Sequence, residues 1–306
     1  MTAPTIAVAG NVNADAIYSV PRMPAPGETL LAEGFRLGPG GKAGNASVAI
    51  ARLGGRPRLI ASVGDDALAS VALSGLASVG VDVHAIARHE GTTTGFATVF
   101  VAPPGQENAI VTHLGANLLM RPGDVPDLRG CDGLLITFGL PADVLLAVAA
   151  AARSAGIPTI VDATPLRSLP VPRELTEVDL LSCNRGEYET LTDTRLEESV
   201  DPARLCRPLH DLGARHVVVK LGANGAVWSD GAQAGRSLAP RVEAIDPTGA
   251  GDAFMAALCV RWLGGSSLAT ATDFACAVGA LTSTGLGAQG GWTTLADVES
   301  FIGADG

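Results

Sequence analysis

Short apolar runs that alternate with segments of helical periodicity are the feature that most restricts how this chain can fold. Glycine closes most of the helical segments, as expected at helix ends. Strands that alternate with helices in this way form a mainly parallel sheet with helices on both faces, so we expect a three-layer α/β/α body. The apolar runs are TIAVAG (5–10), RLIASVG (58–64), GLLITFG (133–139), PTIVDA (158–163), DLLSCN (179–184) and HVVVKLG (216–222). The helical segments are NASVAIARLG (45–54), ADVLLAVAAAARSAG (142–156), DPARLCRPLHDLG (201–213), GDAFMAALCVRWLGG (251–265) and LATATDFACAVGALTSTG (268–285).

Two segments break the alternation. Residues 16–37 and 93–113 contain short strand-like runs around turns rich in proline and glycine, a pattern typical of hairpins. They predict a small antiparallel sheet that projects from the main body as a lid. No repeat or linker divides the chain, so we expect one domain over residues 1–306 with this lid inserted.

Charge and composition exclude several kinds of partner. The formal net charge of the 306-residue chain is −10, which argues against a broad surface for nucleic acid or anionic lipid. No segment has the length of a membrane span, and the N-terminus lacks the pattern of a signal peptide. We therefore expect a cytoplasmic protein with a small-molecule ligand. The five cysteines lie mostly in apolar segments and are expected to be reduced and buried: Cys131, Cys183, Cys206, Cys259 and Cys276.

The segment DPTGAGDAF (246–254) places three small residues directly before an aspartate and an apolar helix. If the helix starts near Gly251 or Asp252, the amides of Gly249, Ala250, Gly251 and Asp252 can face one anion. The positive end of the helix favours ionised Asp252 beside that anion, as a base for a hydroxyl. The alternative is that Asp252 only caps the helix. No Walker A pattern is present, and no GxGxxG pattern follows the first apolar run, which argues against a dinucleotide oxidoreductase.

A second glycine-rich turn, GPGGKAGNASVAIARLGG (38–55), also precedes a helix and carries Lys42 and Asn45. Upstream, three polar residues come shortly after the end of the first apolar run, namely Asn11, Asn13 and Asp15. Polar groups at the carboxyl end of a strand lie where open α/β sheets bind ligands, and amide and carboxylate groups suit the hydroxyls of a polyol. The alternatives are a turn closed by Asx hydrogen bonds and an ordinary turn between a strand and a helix.

These two glycine motifs, in this order, resemble the two signatures of the ribokinase, or PfkB, family of carbohydrate kinases. The resemblance extends over nearly the whole chain and includes NRGE (184–187), KLGANG (220–225) and GLGAQGG (285–291). The segment GQENAIVTHLGAN (105–117) is most similar to ribokinases within the family. The resemblance implies a ribokinase-like fold and transfer of phosphate from ATP, with Mg²⁺, to the primary hydroxyl of a small sugar such as ribose.

The resemblance also implies roles for individual residues. It makes Asp252 the base, with the amides of Gly249, Ala250 and Gly251 stabilising the transferring phosphoryl group. It places the sugar against Asn13, Asp15, Gly41, Lys42, Asn45 and Asp252. It places ATP against Asn184, Lys220, Gly222, Gly225, Gly251 and Cys276, with Glu187 holding Mg²⁺ through water. It places a monovalent cation, K⁺, near Asp246, Thr248, Thr282, Gly285, Gly287 and Gly291.

One position departs from the family pattern. Ribokinases usually carry a glutamate that contacts the sugar where this chain has Gly139, so an acceptor for a sugar hydroxyl is lost. Fructose, ketogluconate or a nucleoside therefore stay open as alternative substrates. A catalytically silent sugar-binding homologue is a further alternative.

The lid leads to two more expectations. It can close over the sugar and exclude water, which would otherwise compete for the phosphoryl group. Its apolar face can also pair with that of a second subunit, as often happens in the family, and form a homodimer.

Overall fold

The structure is a computed structural model that describes residues 3–103, 108–164, 171–285 and 293–304. Its strands, in chain order, are β1 (Thr5–Ala9), β2 (Asn13–Ser19), β3 (Gly34–Gly40), β4 (Arg56–Gly64), β5 (Ile86–His89), β6 (Gly95–Val101), β7 (Ala109–His113), β8 (Gly133–Thr137), β9 (Thr159–Asp162), β10 (Leu180–Asn184), β11 (His216–Lys220), β12 (Ala226–Ser229) and β13 (Ala234–Ser237). Its helices are α1 (Lys42–Arg52), α2 (Ala67–Ala72), α3 (Ala142–Ala155), α4 (Arg185–Thr192), α5 (Pro202–Asp211), α6 (Ala250–Leu263), α7 (Leu268–Thr282) and α8 (Leu295–Ala304).

Within these ranges, nine strands form the central sheet in the order β13-β12-β11-β10-β9-β8-β1-β4-β5. The pairs from β11 to β5 are parallel, and β12 and β13 continue the sheet antiparallel at one edge. All six apolar runs form strands of this sheet, which confirms the predicted mainly parallel body.

Along each central strand, successive side chains point to opposite faces of the sheet and pack into two separate hydrophobic cores. In β1, Ile6 and Val8 pack with the helices α1, α6 and α7, whereas Ala7 and Ala9 pack with α3 and α5 on the other face. A strand buried on both faces must be apolar at every position. This explains why the central strands read as continuous apolar runs, and it confirms the three layers.

The second sheet contains four strands in the order β3-β2-β6-β7. The pairs β2–β3 and β6–β7 are antiparallel, but the central pair β2–β6 is parallel. The prediction of an antiparallel lid is therefore wrong for its central pair, because β2 and β6 come from two separate segments that enter the sheet in the same direction. The lid strands also begin at Asn13 and extend to Gly40, beyond the predicted 16–37.

Candidate active site

The carboxyl ends of the parallel strands bring together most of the polar residues that the sequence pointed to. Asn11 follows β1, whereas Asp162, Asn184 and Lys220 are the last residues of β9, β10 and β11. Parallel strands end at one edge of the sheet, and ligands of open α/β sheets bind there. This edge is the candidate active site.

Helix α6 begins at Ala250, and Gly249 before it has a φ of 82°. This left-handed conformation favours glycine and turns the chain so that the helix start faces the site. The amide of Ala250 donates to the carbonyl of Pro247 at 3.1 Å, unlike the prediction that it faces an anion. Gly251 and Asp252 lie in the first turn of α6, where the amides have no partner within the helix.

Asp252 lies in that first turn and is only 8% exposed. Its Oδ2 atom accepts a hydrogen bond from Nδ2 of Asn45 at 2.7 Å, and its Oδ1 atom lies 3.7 Å from the ammonium nitrogen of Lys42. Burial raises the pKa of Asp252, whereas Lys42 and the bond from Asn45 act to lower it. A carboxylate with a raised pKa is a stronger base near neutral pH, so this position suits proton abstraction from a hydroxyl.

The two lysines of the chain, Lys42 and Lys220, meet at one carboxylate. Asp162 is 1% exposed; it bonds the ammonium group of Lys220, and its Oδ2 atom lies 4.0 Å from that of Lys42. Burial alone would lower the pKa of both lysines, but the surrounding carboxylates raise it, chiefly Asp252 for Lys42 and Asp162 for Lys220. Both ammonium groups are therefore charged at neutral pH.

A cavity of about 420 Å³ lies between the lid and the start of α6. One wall is polar and includes all the predicted sugar-binding residues. The apolar part of the lining comes largely from the lid, whose strand β2 also carries Asn13 and Asp15 of the polar wall. The polar wall includes Asn11, Asn13, Asp15, Gly41, Lys42, Asn45 and Asp252, and the apolar part includes Ala97, Val99, Ile110, Leu114 and Phe138.

Asn13 and Asp15 reach this cavity from the first lid strand, β2. The sequence pattern predicts them at the carboxyl end of the first strand, with an Asx turn as the alternative, whereas the structure has them in the next strand because the chain re-enters a strand at Asn13. Alternation along β2 points both side chains to the same face of the lid. Oδ1 of Asp15 is buried without a hydrogen-bond partner among the described residues, so it is an acceptor that a ligand hydroxyl can satisfy.

A second cavity of about 500 Å³ adjoins the first and extends along α7. Pro247 and Gly251 line both cavities. A Cβ atom at Gly251 would have no heavy atom within 4 Å, so the glycine leaves open space where the cavities meet. The second cavity contains the predicted nucleotide residues Lys220, Gly222, Gly225, Gly251 and Cys276, together with the loop residues Ala239, Pro240, Arg241 and Val242.

Asn184 and Glu187 line neither cavity but form a reciprocal cap at the start of α4. Oδ1 of Asn184 accepts from the amide of Glu187 at 2.9 Å, and Oε2 of Glu187 accepts from the amide of Asn184 at 2.6 Å. Burial raises the pKa of Glu187, Lys220 lowers it, and Asp162 raises it again. The pair is therefore a helix cap that also holds a carboxylate near the lysine cluster.

The residues predicted to hold a monovalent cation are partly brought together. Oδ1 of Asp246 accepts from the amide and the hydroxyl of Thr248 at 2.9 and 2.6 Å. The amide of Asp246 donates to the carbonyl of Ser283 at 3.0 Å, which brings this turn to the end of α7, next to Thr282 and Gly285. The predicted ligands Gly287 and Gly291 lie outside the described residues.

Two residues of the site were missed from the sequence. Asp162 ends an apolar run and could have been found by the rule that already singled out Asn11. Asn117 is buried, and its Nδ2 atom donates to Oδ1 of Asn13 at 3.2 Å. Its position in a short 3₁₀-helix far along the chain gave no signal for this contact.

The described ranges contain no cluster of three or more His, Cys, Asp or Glu side chains that could bind a metal ion. None of their helices has the length and apolar character to cross a membrane. The five cysteines are free and buried, as predicted.

The site thus combines two adjoining cavities, a buried carboxylate at their junction and two lysines beside it. This arrangement suits the transfer of a phosphoryl group between ligands of the two cavities. The pattern of the pfkB family carbohydrate kinases matches residues 3–295. The chain belongs to this family and is an ATP-dependent sugar kinase.

The relatives agree with this assignment over the full length. The chain is 30% identical to a ribokinase of Haemophilus influenzae, over 97% of this chain and 98% of the relative. It is 28% identical to a deoxyribokinase of Salmonella typhi, over 97% and 98%. The structure of an Arabidopsis thaliana ribokinase complexed with ribose and ATP superposes with a TM-score of 0.86 at 28% identity and covers 98% of this chain and 99% of that one.

Proposed function

We propose that the protein phosphorylates the primary hydroxyl of D-ribose with ATP. The observation that carries the proposal is the position of Asp252, a buried carboxylate in the first turn of α6 where the polyol cavity meets the second cavity. The named ribokinases support ribose as the sugar and ATP as the phosphate donor.

In this proposal, the sugar binds between the lid and α1. The unpartnered oxygen of Asp15 accepts from a hydroxyl, and Asn13, Lys42 and Asn45 complete the polar wall. The primary hydroxyl lies next to Asp252, which removes its proton while the hydroxyl oxygen bonds to the γ-phosphorus of ATP. The bond from that phosphorus to the bridging oxygen of the β-phosphate breaks, and ADP leaves. The bond from Asn45 holds Asp252 in place for this step.

The nucleotide binds in the second cavity, with its outer phosphate near Gly251. The amides of Gly251 and Asp252 and the ammonium groups of Lys42 and Lys220 face this junction and stabilise the charge of the transferring phosphoryl group. Transfer of a phosphoryl group requires mainly positioning and charge stabilisation, and these residues supply both.

The residues present fit Mg²⁺ bound through water. Oε2 of Glu187 is used by the cap of α4, and water bound to the ion can donate to the carboxylate. Mg²⁺ retains several waters and binds through few carboxylates plus phosphates, which agrees with the absence of a protein-only cluster from the described ranges. Glu187 would hold the ion, which would neutralise phosphate charge. K⁺ near Asp246 and Thr248 belongs to the same proposal.

A panel of acceptors tests the substrate. ADP release is measured with D-ribose, 2-deoxy-D-ribose, D-fructose, 2-keto-3-deoxygluconate and adenosine, each with and without K⁺ and with and without Mg²⁺. We expect D-ribose to give the highest kcat/KM. A higher kcat/KM for another acceptor would show that this acceptor, and not ribose, is the preferred substrate. Binding of a sugar without turnover of any acceptor would identify a catalytically silent homologue.

We also propose a homodimer that forms through the lid. Phe35 and Val111, which are 58% and 66% exposed, lie on the lid face opposite to Asp15 according to the strand register. The ring of Tyr18 lies 5.0 Å from that of Phe35 and 5.9 Å from that of Phe100. Such an exposed apolar face is typical of a protein interface, and a second copy presents the same face.

A further inference from the structure

The side chain of Asn11 fills the space beside Gly139. The two residues follow β1 and β8, which are neighbours in the sheet. Gly139 has a φ of 109°, a conformation that favours glycine, and a Cβ atom there would lie 2.7 Å from Cβ of Asn11. A side chain at residue 139 is therefore excluded while Asn11 is in place, and Asn11 alone presents a polar group to the cavity from this pair.

One hydrogen bond fixes the orientation of the Asn11 carboxamide. The amide of Lys42 donates to Oδ1 of Asn11 at 3.2 Å. The oxygen therefore faces the start of α1, and the Nδ2 group is left to donate elsewhere. None of the described residues accepts from Nδ2, although Asn11 is only 8% exposed and lines the first cavity.

A donor that has no acceptor among the described residues and lines a cavity is available to a ligand, which can supply the acceptor. The neighbouring acceptor, Asp15, has the opposite requirement because its unpartnered oxygen needs a donor. The polar wall therefore distinguishes two oxygens of a bound polyol by the direction of their hydrogen bonds.

We infer that Asn11 is a specificity-determining residue that donates a hydrogen bond from Nδ2 to one oxygen of the sugar. The inference rests on the proposed sugar kinase function and deepens it. An ionised carboxylate at this place could only accept a hydrogen bond. It would therefore require a hydroxyl group of the sugar as the donor. The carboxamide instead requires a lone pair, so the site admits a hydroxyl, carbonyl or ring oxygen at this position of the substrate.

Deoxy and deoxyfluoro sugars test the direction of this bond, because carbon-bound fluorine accepts weakly and cannot donate. The affinities of D-ribose and of its deoxy and deoxyfluoro analogues at carbons 1, 2 and 3 are measured by calorimetry without nucleotide. At one carbon we expect the fluoro analogue to bind about threefold or more tightly than the deoxy analogue, within the range of one neutral hydrogen bond.

The variant Asn11→Asp keeps the acceptor for the amide of Lys42 and replaces the donor by an oxygen. We expect the fluoro analogue at that carbon to become the weakest ligand of the series. The variant Asn11→Ala, which adds no buried charge, should make the fluoro and deoxy analogues equal. Gln233→Glu in the exposed β12–β13 turn adds the same charge far from the cavity and should leave the wild-type order unchanged.

An order of analogues that does not depend on residue 11 at any carbon would overturn the inference, while D-ribose binding itself would still support the proposed function. If the wild type binds no D-ribose, the proposed function and the inference both fail. Because binding is measured without turnover, a loss of catalysis alone changes neither result.

Discussion

The carboxylate of Asp162 at the end of β9 and the ammonium group of Lys220 at the end of β11 form a buried ion pair. Strand β10 lies between these two strands in the sheet. The other oxygen of Asp162 lies 4.0 Å from Lys42. Lys42 lines the first cavity and Lys220 the second. One aspartate thus connects a cation from each cavity.

This connection predicts that Asp162→Asn weakens two ligands at once. Loss of the charge releases both ammonium groups from their positions, so we expect the affinities for D-ribose alone and for Mg–AMP-PNP alone each to fall about fivefold or more, the equivalent of ~1 kcal/mol. Lys42→Met should affect mainly the sugar, and Lys220→Met mainly the nucleotide. Calorimetry measures each ligand separately.

Asp179→Asn provides the matched control, because Asp179 bonds Arg215 at 3.1 Å and the amide of Thr159 at 2.9 Å at the start of the same strands, away from both cavities. It should leave both affinities unchanged. An effect of Asp162→Asn on only one ligand would contradict the bridging role.

Asp252→Asn should abolish most of the turnover. The amide keeps the shape of the side chain but cannot take the proton of the hydroxyl, so we expect kcat to fall about 10²- to 10⁴-fold with a small change in KM for the sugar. Steady-state assays of ADP release give both constants. Near-normal turnover in this variant would show that another group is the base.

Sugar affinity should depend on pH through Asp15. Burial and, to a smaller extent, the negative charge of Asp252 together raise the pKa of Asp15 to about 7. The ionised carboxylate accepts from a hydroxyl with both oxygens, so KM for the sugar should fall as the pH rises from about 6 to 8. Asp15→Asn should bind more weakly and without this dependence, and an unchanged pH profile of KM in the variant would exclude Asp15.

The same pKa affects folding in the opposite direction. A carboxyl whose pKa is higher in the folded state favours folding when it is protonated, so its contribution is complete below the unfolded pKa of about 4 and is lost as the pH rises through about 7. The free energy of unfolding of the wild type should therefore fall relative to that of Asp15→Asn over this window. Urea unfolding at several pH values measures the difference, and parallel curves for the two proteins would contradict it.

Gly251→Ala should separate activity from stability. The added methyl group meets no protein atom within 4 Å, and alanine stabilises a helix relative to glycine by up to about 1 kcal/mol. It would, however, project into the space where the two cavities meet and displace the ligands, with an expected loss in kcat/KM of about tenfold or more. Thermal melts measure the stability and steady-state kinetics measure kcat/KM, both on the same preparation.

Gly303→Ala is the control for that variant, since Gly303 lies in α8 and a Cβ atom there also meets nothing within 4 Å. It should stabilise without changing kcat/KM. Equal kinetics of the Gly251 and Gly303 variants would show that the junction tolerates a methyl group.

The lid face should determine the oligomeric state. Phe35→Ser and Val111→Ser together remove apolar surface that is exposed in the single chain and should convert a dimer into a monomer. Light scattering over a range of concentrations measures the molar mass of the protein in solution. A monomeric wild type would contradict the proposed dimer, and a dimeric variant would place its interface elsewhere.

Much of the fold follows from local pattern. The central strands were predictable because burial on both faces requires apolar residues throughout, as in β8 and β11. The lid was harder, because Asn13 and Asp15 are polar residues that point into a cavity rather than to solvent. The β12–β13 hairpin was not predicted, since it contains few apolar residues in a row.

The site was predictable where a motif is contiguous. The turn before α6 and the start of α1 each carry their residues within a few positions. The role of Asp162 depends on two lysines from distant segments that converge only in the folded sheet, and the relation of Asn11 to Gly139 depends on strand neighbours. Such contacts have no signature along the chain.

Residues of three lid strands, β2, β6 and β7, line the first cavity, and none of the described lid residues lines the second. If the lid closes over the sugar, as expected from the sequence, it therefore covers the first cavity alone. In the proposed mechanism, the nucleotide then leaves from a cavity that no described lid residue lines, so its release does not require the lid to open.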